Sequence, residues 1–189
     1  MTELAAVNRM LSWINEQAVT ALDGSVAPAT RANTMLDSHS SRIQSRGLTC
    51  NSRKNVTYTA DGSGYYDVGT ALRADPTDKG KCYVQRGTRI YDPEDGTDVF
   101  TVGATIKLDI VELLDWTDLP VAAQEYILGS AIREFIISET GDKDMYGAAT
   151  AEYRAAELEF VRYETKVSDA NMINDSHTVA AVAHRLWNP

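Results

Sequence analysis

Between Ile43 and Asn51 the period of the apolar pattern changes, and no single element accommodates both sides of that change. Upstream, apolar residues recur at spacings of three and four, the mark of an amphipathic helix; downstream they alternate, the mark of a strand. Ile43 is the last apolar residue of the helical face, Arg46 sits in the last turn where a cation complements the dipole, and Gly47 is placed to supply a left-handed C-cap. The helical period returns after Trp116. The chain therefore reads as α+β: a helical bundle with an inserted antiparallel β-hairpin or meander region and an extended C-terminal tail. The expected divisions are residues 1–48 and 117–167 for the two parts of the bundle, 49–116 for the β insert, and 168–189 for a linker and docking tail.

The first helix is expected over residues 2–16, with Thr2 as N-cap and Leu4, Val7, Leu11 and Ile14 on its core face. Asp23-Gly24 marks a turn, and Pro28 is suited to the first position of a second helix, 28–46, whose stripe is Ala29, Ala32, Leu36, His39 and Ile43. Strand candidates in the insert are 56–59, 82–85, 88–91, 99–102 and 105–110. Arg86-Gly87 and Asp95-Gly96 punctuate hairpins, while residues 61–64 and 76–80 read as exposed loops. No helix separates these strands, which favours an antiparallel meander.

A third helix is expected over 119–139, capped by Thr117 or Asp118. Ala123, Ile127, Ala131 and Phe135 share its face, and Leu128 and Ile132 widen the stripe to more than one side. After Gly141-Asp142 the cleanest periodicity in the chain, Tyr146, Ala149, Tyr153, Ala156, Phe160, Tyr163 and Val167, predicts a long packing helix over 143–167. Its aromatic face suits an intramolecular helix pair and leaves room for a subunit contact. Residues 168–175 are rich in Asn and Asp and read as a linker. The terminal segment, with Val179, Val182, Arg185, Leu186 and Trp187, is too short for a core of its own. It docks on its own body or on a partner, or stays disordered; Trp and Arg are frequent interface anchors.

Chemistry-bearing patterns are sparse. His39, His177 and His184 form no helical His-x-x-x-His pair, and His39 lies among apolar residues, where a hydrogen-bonded core or interface histidine is expected. Cys50 and Cys82 are far apart with no second pair, so neither a disulfide framework nor a four-cysteine metal site is expected, and free thiols in a reducing cytosol are the default. A cysteine nucleophile lacks any sign of an activating base. The run from Asp92 to Asp98 resembles a calcium loop only superficially, because Pro93 falls second and Thr97 stands where the sixth-position glycine belongs; it reads as an acidic hairpin turn. Gly62-Ser63-Gly64 lacks the lysine of a phosphate loop and is no nucleophile elbow. Neither catalysis nor a cofactor or metal is expected.

The chain of 189 residues carries 27 acidic and 18 basic residues, a net charge of -9. That balance argues against a DNA-gripping surface, which needs clustered Lys and Arg. No run approaches the ~20 apolar residues of a membrane span, and the first residues have neither a basic nor a long apolar segment, so no membrane association or secretion signal is expected.

Three segments carry a family likeness: Leu-Ala-Ala-Val-Asn-Arg-Met-Leu at 4–11, Ile-Gln-Ser-Arg-Gly-Leu-Thr-Cys-Asn at 43–51, and Tyr-Val-Gln-Arg-Gly-Thr-Arg-Ile-Tyr-Asp at 83–92. With these the chain resembles tail tubular protein A of short-tailed phages, a family of head-to-tail adaptors. The similarity extends over residues 4–14, 29–51, 83–100 and 119–135; it departs at Leu48, where the family has an aromatic residue after Arg-Gly, and in the loops of 61–79. The resemblance implies a structural virion protein and not an enzyme. It implies a helical bundle bearing a β insert, assembled in the host cytoplasm into a dodecameric ring of the virion tail. Such a ring joins the portal protein to the tail nozzle, tail tubular protein B, and supports tail fibres near that junction. DNA passes through its channel without sequence-specific binding, and the net negative charge is either spread evenly or turned toward that channel to repel the duplex. The nozzle and fibre contact is expected in the region of Tyr83, Arg86, Arg89 and Tyr91, and portal or neighbour-subunit docking at Val179, Val182, Arg185, Leu186 and Trp187. The competing reading is a small cytosolic binding module or an enzyme of unknown substrate, which a stable monomer turning over a metabolite would identify.

Overall fold

A computed structural model describes residues 1–78 and 80–175. The fold is α+β, with four α-helices and two small antiparallel sheets among the described residues. The chain divides into two compact units, one made of Glu3–Ala32 with the residues from Pro120 on, the other of Asn33–Leu119.

In the helical unit, α1 (Glu3–Trp13) buries Ala6, Val7, Met10 and Leu11. Leu4 and Ile14, expected on the core face, are only half-buried. The helix stops short of Ile14 because Asn15 takes a left-handed conformation (φ 57°). The Glu16 and Asn15 amides then bond the Leu11 and Ser12 carbonyls at 3.0 and 3.3 Å, a Schellman closure. Asn8 pins the chain that follows, its amide exchanging two hydrogen bonds with the Val19 backbone at 2.9 and 2.8 Å.

α3 (Val121–Glu139) starts two residues later than the sequence suggests. Thr117 and Asp118 do not cap it; they lie in a 3-10 turn, Trp116–Asp118, and Pro120 takes the N-cap position with extended backbone. Ala123, Ile127, Leu128, Ala131, Ile132, Phe135 and Ile136 are buried, together with Tyr126, so the widened stripe is packed on more than one side. Gly141 (φ 67°) closes the helix, and Asp142 caps α4 (Lys143–Asp175), its carboxylate accepting the Asp144 and Met145 amides at 2.8 and 3.0 Å.

Tyr146, Tyr153 and Phe160 of the aromatic face of α4 pack against α3. Tyr126 stacks on Phe160 at 4.8 Å and on Tyr153 at 5.5 Å between ring centres. Arg133 lies 4.7 Å from the Tyr153 ring and bonds the Tyr146 hydroxyl. Gly129 lets the helices approach, since a Cβ there would sit 3.2 Å from Tyr153 Cα. Arg9 bridges to Glu125 and Glu152 at 2.7 and 3.2 Å. The helix runs to Asp175, past the expected end at 167 and through the segment read as a linker. No Gly or Pro interrupts 168–175, and Asn, Asp and Ser cost a growing helix well under ~1 kcal/mol each.

The strand unit holds β1 (Ser52–Thr59), β2 (Arg73–Pro76), β3 (Val84–Arg86), β4 (Arg89–Tyr91) and β5 (Thr105–Val111). All pairing is antiparallel, but the order is not that of a meander: β5 lies between β1 and β2, and β3 pairs only with β4. β2 occupies residues that the sequence pattern leaves as loop; its final Pro76 is tolerated because the strand is an edge. Residues 99–102, expected as a strand, join no ladder. Val99 and Val102 are exposed, and the Phe100 amide bonds the Gly64 carbonyl at 2.8 Å instead. Ala60, Tyr66, Val68, Ala74, Ile90, Leu108 and Ile110 form the core of this unit.

The second helix, α2 (Ala27–Gln44), does not belong wholly to the bundle: residues 33–44 cluster with the strands. The reason is a buried polar knot beyond its last turn. Gln44 exchanges hydrogen bonds with the Leu114 backbone, donating to its carbonyl at 3.0 Å and accepting its amide at 2.8 Å. Asn51 donates to the Gln44 and Glu112 carbonyls at 3.0 and 2.8 Å and accepts the Leu48 amide at 2.7 Å. Gly47 sits within this corner at φ 83°, as its C-cap role requires. The strand unit therefore begins in α2, ahead of the boundary placed at residue 49.

Candidate functional site

The β3–β4 hairpin turns on Gly87-Thr88, with Gly87 at φ 61°, the geometry of a two-residue loop with glycine first. Alternation then sorts its side chains. Gln85 and Ile90 face inward, Ile90 fully buried, and Val84, Arg86, Arg89 and Tyr91 fall on the other face. β4 is held on both sides, since the Ile90 amide bonds the Tyr66 carbonyl at 3.2 Å and the Val68 amide bonds the Thr88 carbonyl at 2.8 Å. The two arginines are thus carried on a braced ribbon and not on a loose loop.

Both guanidinium groups lie on aromatic rings. Arg86 stacks over Tyr91 at 3.3 Å, its diagonal neighbour in the ladder, and Arg89 stacks over Tyr65 at 3.6 Å. Arg89 also pairs with Asp98 at 3.5 Å. The Asp61 carboxyl is held below the usual carboxylate range, first by the backbone amides of Tyr65 and Ser63 and further by the charge of Arg89. Tyr83 does not join this face: it packs edge-on against Phe100 at 5.6 Å, and Phe100 leans on the buried Tyr66 at 4.6 Å. Of the four residues expected at an interface, three stand together on the outer face and one braces the core.

Tyr65 and Asp98 complete the patch and were not legible beforehand. Tyr65 lies in a loop with no periodic signal, and Asp98 is one acid among several in its segment. The Asp92–Thr97 turn is an acidic hairpin turn, with the Asp92 carboxylate accepting the Glu94 and Asp95 amides at 2.9 and 3.3 Å. Beside the hairpin, an open cleft of about 580 Å³ is lined in part by Arg73, Asp75, Tyr83 and Gln85. Arg73 and Asp75 pair with each other at 2.8 Å.

Other candidates fall in structural places. His39 is buried, and its Nδ1 accepts from Arg42 at 2.8 Å. Cys50 is half-buried and Cys82 exposed, both free thiols. Among the described residues no group of three or more His, Cys, Asp or Glu side chains is placed to hold a metal ion, and no helix is long and apolar enough to cross a membrane. Val179, Val182, Arg185, Leu186 and Trp187 lie outside the described residues.

The family model for tail tubular proteins matches residues 4–170, from the start of α1 into the last turns of α4, the hairpin included. The chain belongs to the tail tubular protein family. It is a structural protein of the phage tail, located in the virion. Comparison with curated proteins gives no match. The outer face of the hairpin carries Arg86, Arg89 and Tyr91, with each guanidinium stacked on a tyrosine ring. The docking residues expected in the C-terminal tail fall beyond the matched span.

Proposed function

We propose that this tail tubular protein is the head-to-tail adaptor: a ring-forming subunit, dodecameric in the assembled tail, that joins the portal protein to the tail nozzle and surrounds part of the DNA channel. The family match over residues 4–170 carries this reading, supported by the likeness of residues 43–51 and 83–92 to tail tubular protein A. The outer face of the hairpin, with Arg86, Arg89 and Tyr91, meets the nozzle and fibre side, and Tyr83 holds that ribbon from beneath. Hairpins present Arg and Tyr at low ordering cost. The terminal residues Val179, Val182, Arg185, Leu186 and Trp187 dock on the portal or on the adjacent subunit. The net charge of -9 turns toward the channel, where it keeps the duplex from adhering.

The test is the mass of the purified chain alone and mixed with the portal protein of the same phage. A ring, formed alone or on the portal, is the expected result. A stable monomer that ignores both portal and nozzle overturns the adaptor reading and returns the chain to another position in the tail.

A further inference from the structure

Arg86 and Arg89 stand directly opposite each other in the β3–β4 ladder, and like charges in register repel. Only one of the two is compensated. Arg89 has Asp98 at 3.5 Å and lies in the field of Asp61. Arg86 has the Tyr91 ring at 3.3 Å and, among the described residues, no ion pair. Its neighbours in the same unit differ: Arg53 holds Glu112 and Arg73 holds Asp75, each at 2.8 Å. Arg86 is exposed on the outer face of the hairpin, which leaves a position for an acceptor beside its guanidinium.

The stack decides what fills it. A guanidinium lying flat on a ring keeps its N–H donors in its own plane, so the ring fixes the plane and leaves the fork edge open for two parallel hydrogen bonds to one carboxylate. We propose that Arg86, held on Tyr91, receives a single Asp or Glu carboxylate from the tail partner that this hairpin faces. The proposal rests on the reading of the hairpin as the nozzle side. A polynucleotide fits poorly, because a single fork neutralises one phosphate while the adjoining turn carries Asp92, Glu94, Asp95 and Asp98. A lone side-chain carboxylate avoids that repulsion.

The experiment measures affinity of the full-length chain for the nozzle protein of the same phage, with Arg86→Gln, Arg86→Lys and Arg86→Glu beside the parent. Circular dichroism checks that each variant folds. Arg86→Gln is expected to weaken binding at least about 30-fold, the range for losing one partner of a desolvated charge pair. Arg86→Glu should weaken it further, and Arg86→Lys, which cannot offer the fork, should recover only part. If the parent binds the nozzle protein and Arg86→Glu binds equally well, the carboxylate contact is overturned while the nozzle-facing reading stands. A parent that does not bind the nozzle protein overturns that reading and this inference with it. A change in the mass of the chain's own assembly, with nozzle affinity intact, would place the contact between copies and also overturn the proposal. So would retention of a 30-base-pair duplex by the parent and its loss in Arg86→Glu, which would identify phosphate as the occupant.

Discussion

Among the glycines, Gly64 leaves the least room for a side chain. Its φ of 82° already disfavours a side chain, and a Cβ there would stand 2.5 Å from the Phe100 carbonyl oxygen, a backbone atom that cannot swing aside. The same residue ties two loops together, its amide bonding the Asp61 carbonyl at 2.9 Å and its carbonyl accepting the Phe100 amide at 2.8 Å. Gly64→Ala is therefore expected to destabilise the strand unit by well over ~1 kcal/mol, the scale of a side chain forced into an incompatible backbone. Gly62→Ala, two residues away with open space around it and no positive φ, is the control and should stay within ~0.5 kcal/mol of the parent. Urea denaturation of both variants decides the matter; equal midpoints would show that the loop yields to the extra methyl.

At the scale of elements, the polar knot at the end of α2 fixes where the helix gives way to strands. Asn51 is 2% exposed and bonds three backbone groups, so Asn51→Leu leaves the Leu48 amide and the Glu112 carbonyl without that partner, while the Gln44 carbonyl keeps the Gly47 amide at 3.0 Å. Each buried group left unsatisfied costs ~1–3 kcal/mol, and denaturation of the variant should show a loss of at least that size. The α3–α4 pair responds instead to alkali. Burial raises the Tyr153 pKa well above its usual value, reinforced by the hydroxyl contact to Tyr126 and by Glu157. A raised folded pKa means that the folded chain keeps a proton the unfolded chain has released. The stabilisation is complete below the unfolded value of about 10 and is lost as pH rises above it. Thermal melts from pH 8 to 11 should show Tm falling at the top of the range, and less steeply in Tyr153→Phe.

These elements were unevenly legible. The spacing of Tyr146, Ala149, Tyr153, Ala156 and Phe160 announces α4 because a local period is enough to define a packed helix face. The Arg86-Gly87 turn and the alternation around it likewise place Arg86 and Tyr91 on one face. Pairing order is not local, so nothing in residues 105–111 says that β5 enters between β1 and β2. The β-branched run at 99–102 has strand composition without a strand partner, and Arg73–Pro76 has a partner without strand composition. Tyr65, beneath Arg89, shows the same limit within the candidate site: a loop residue becomes a platform only once the chain has folded.

At the scale of the whole molecule, the family match ends at residue 170 and α4 ends at Asp175, which leaves residues 176–189 as the part of the chain tied to neither. Val179, Val182, Leu186 and Trp187 recur at spacings of three, four and one, a stripe too narrow to fold by itself and suited to a groove on the portal or on an adjacent subunit. The helical unit has buried residues of its own in α1 and α3, along with Ala149 and Phe160 of α4. Deleting residues 176–189 should accordingly leave the circular dichroism and melting of the subunit close to the parent's. On the proposed docking role, stable attachment to the portal should be abolished, because Arg185 and Trp187, residue types frequent as interface anchors, go with the deleted segment. Portal binding by the truncated chain at full strength would rule out the docking role. A truncated chain that fails to fold would place the segment in the subunit's own core.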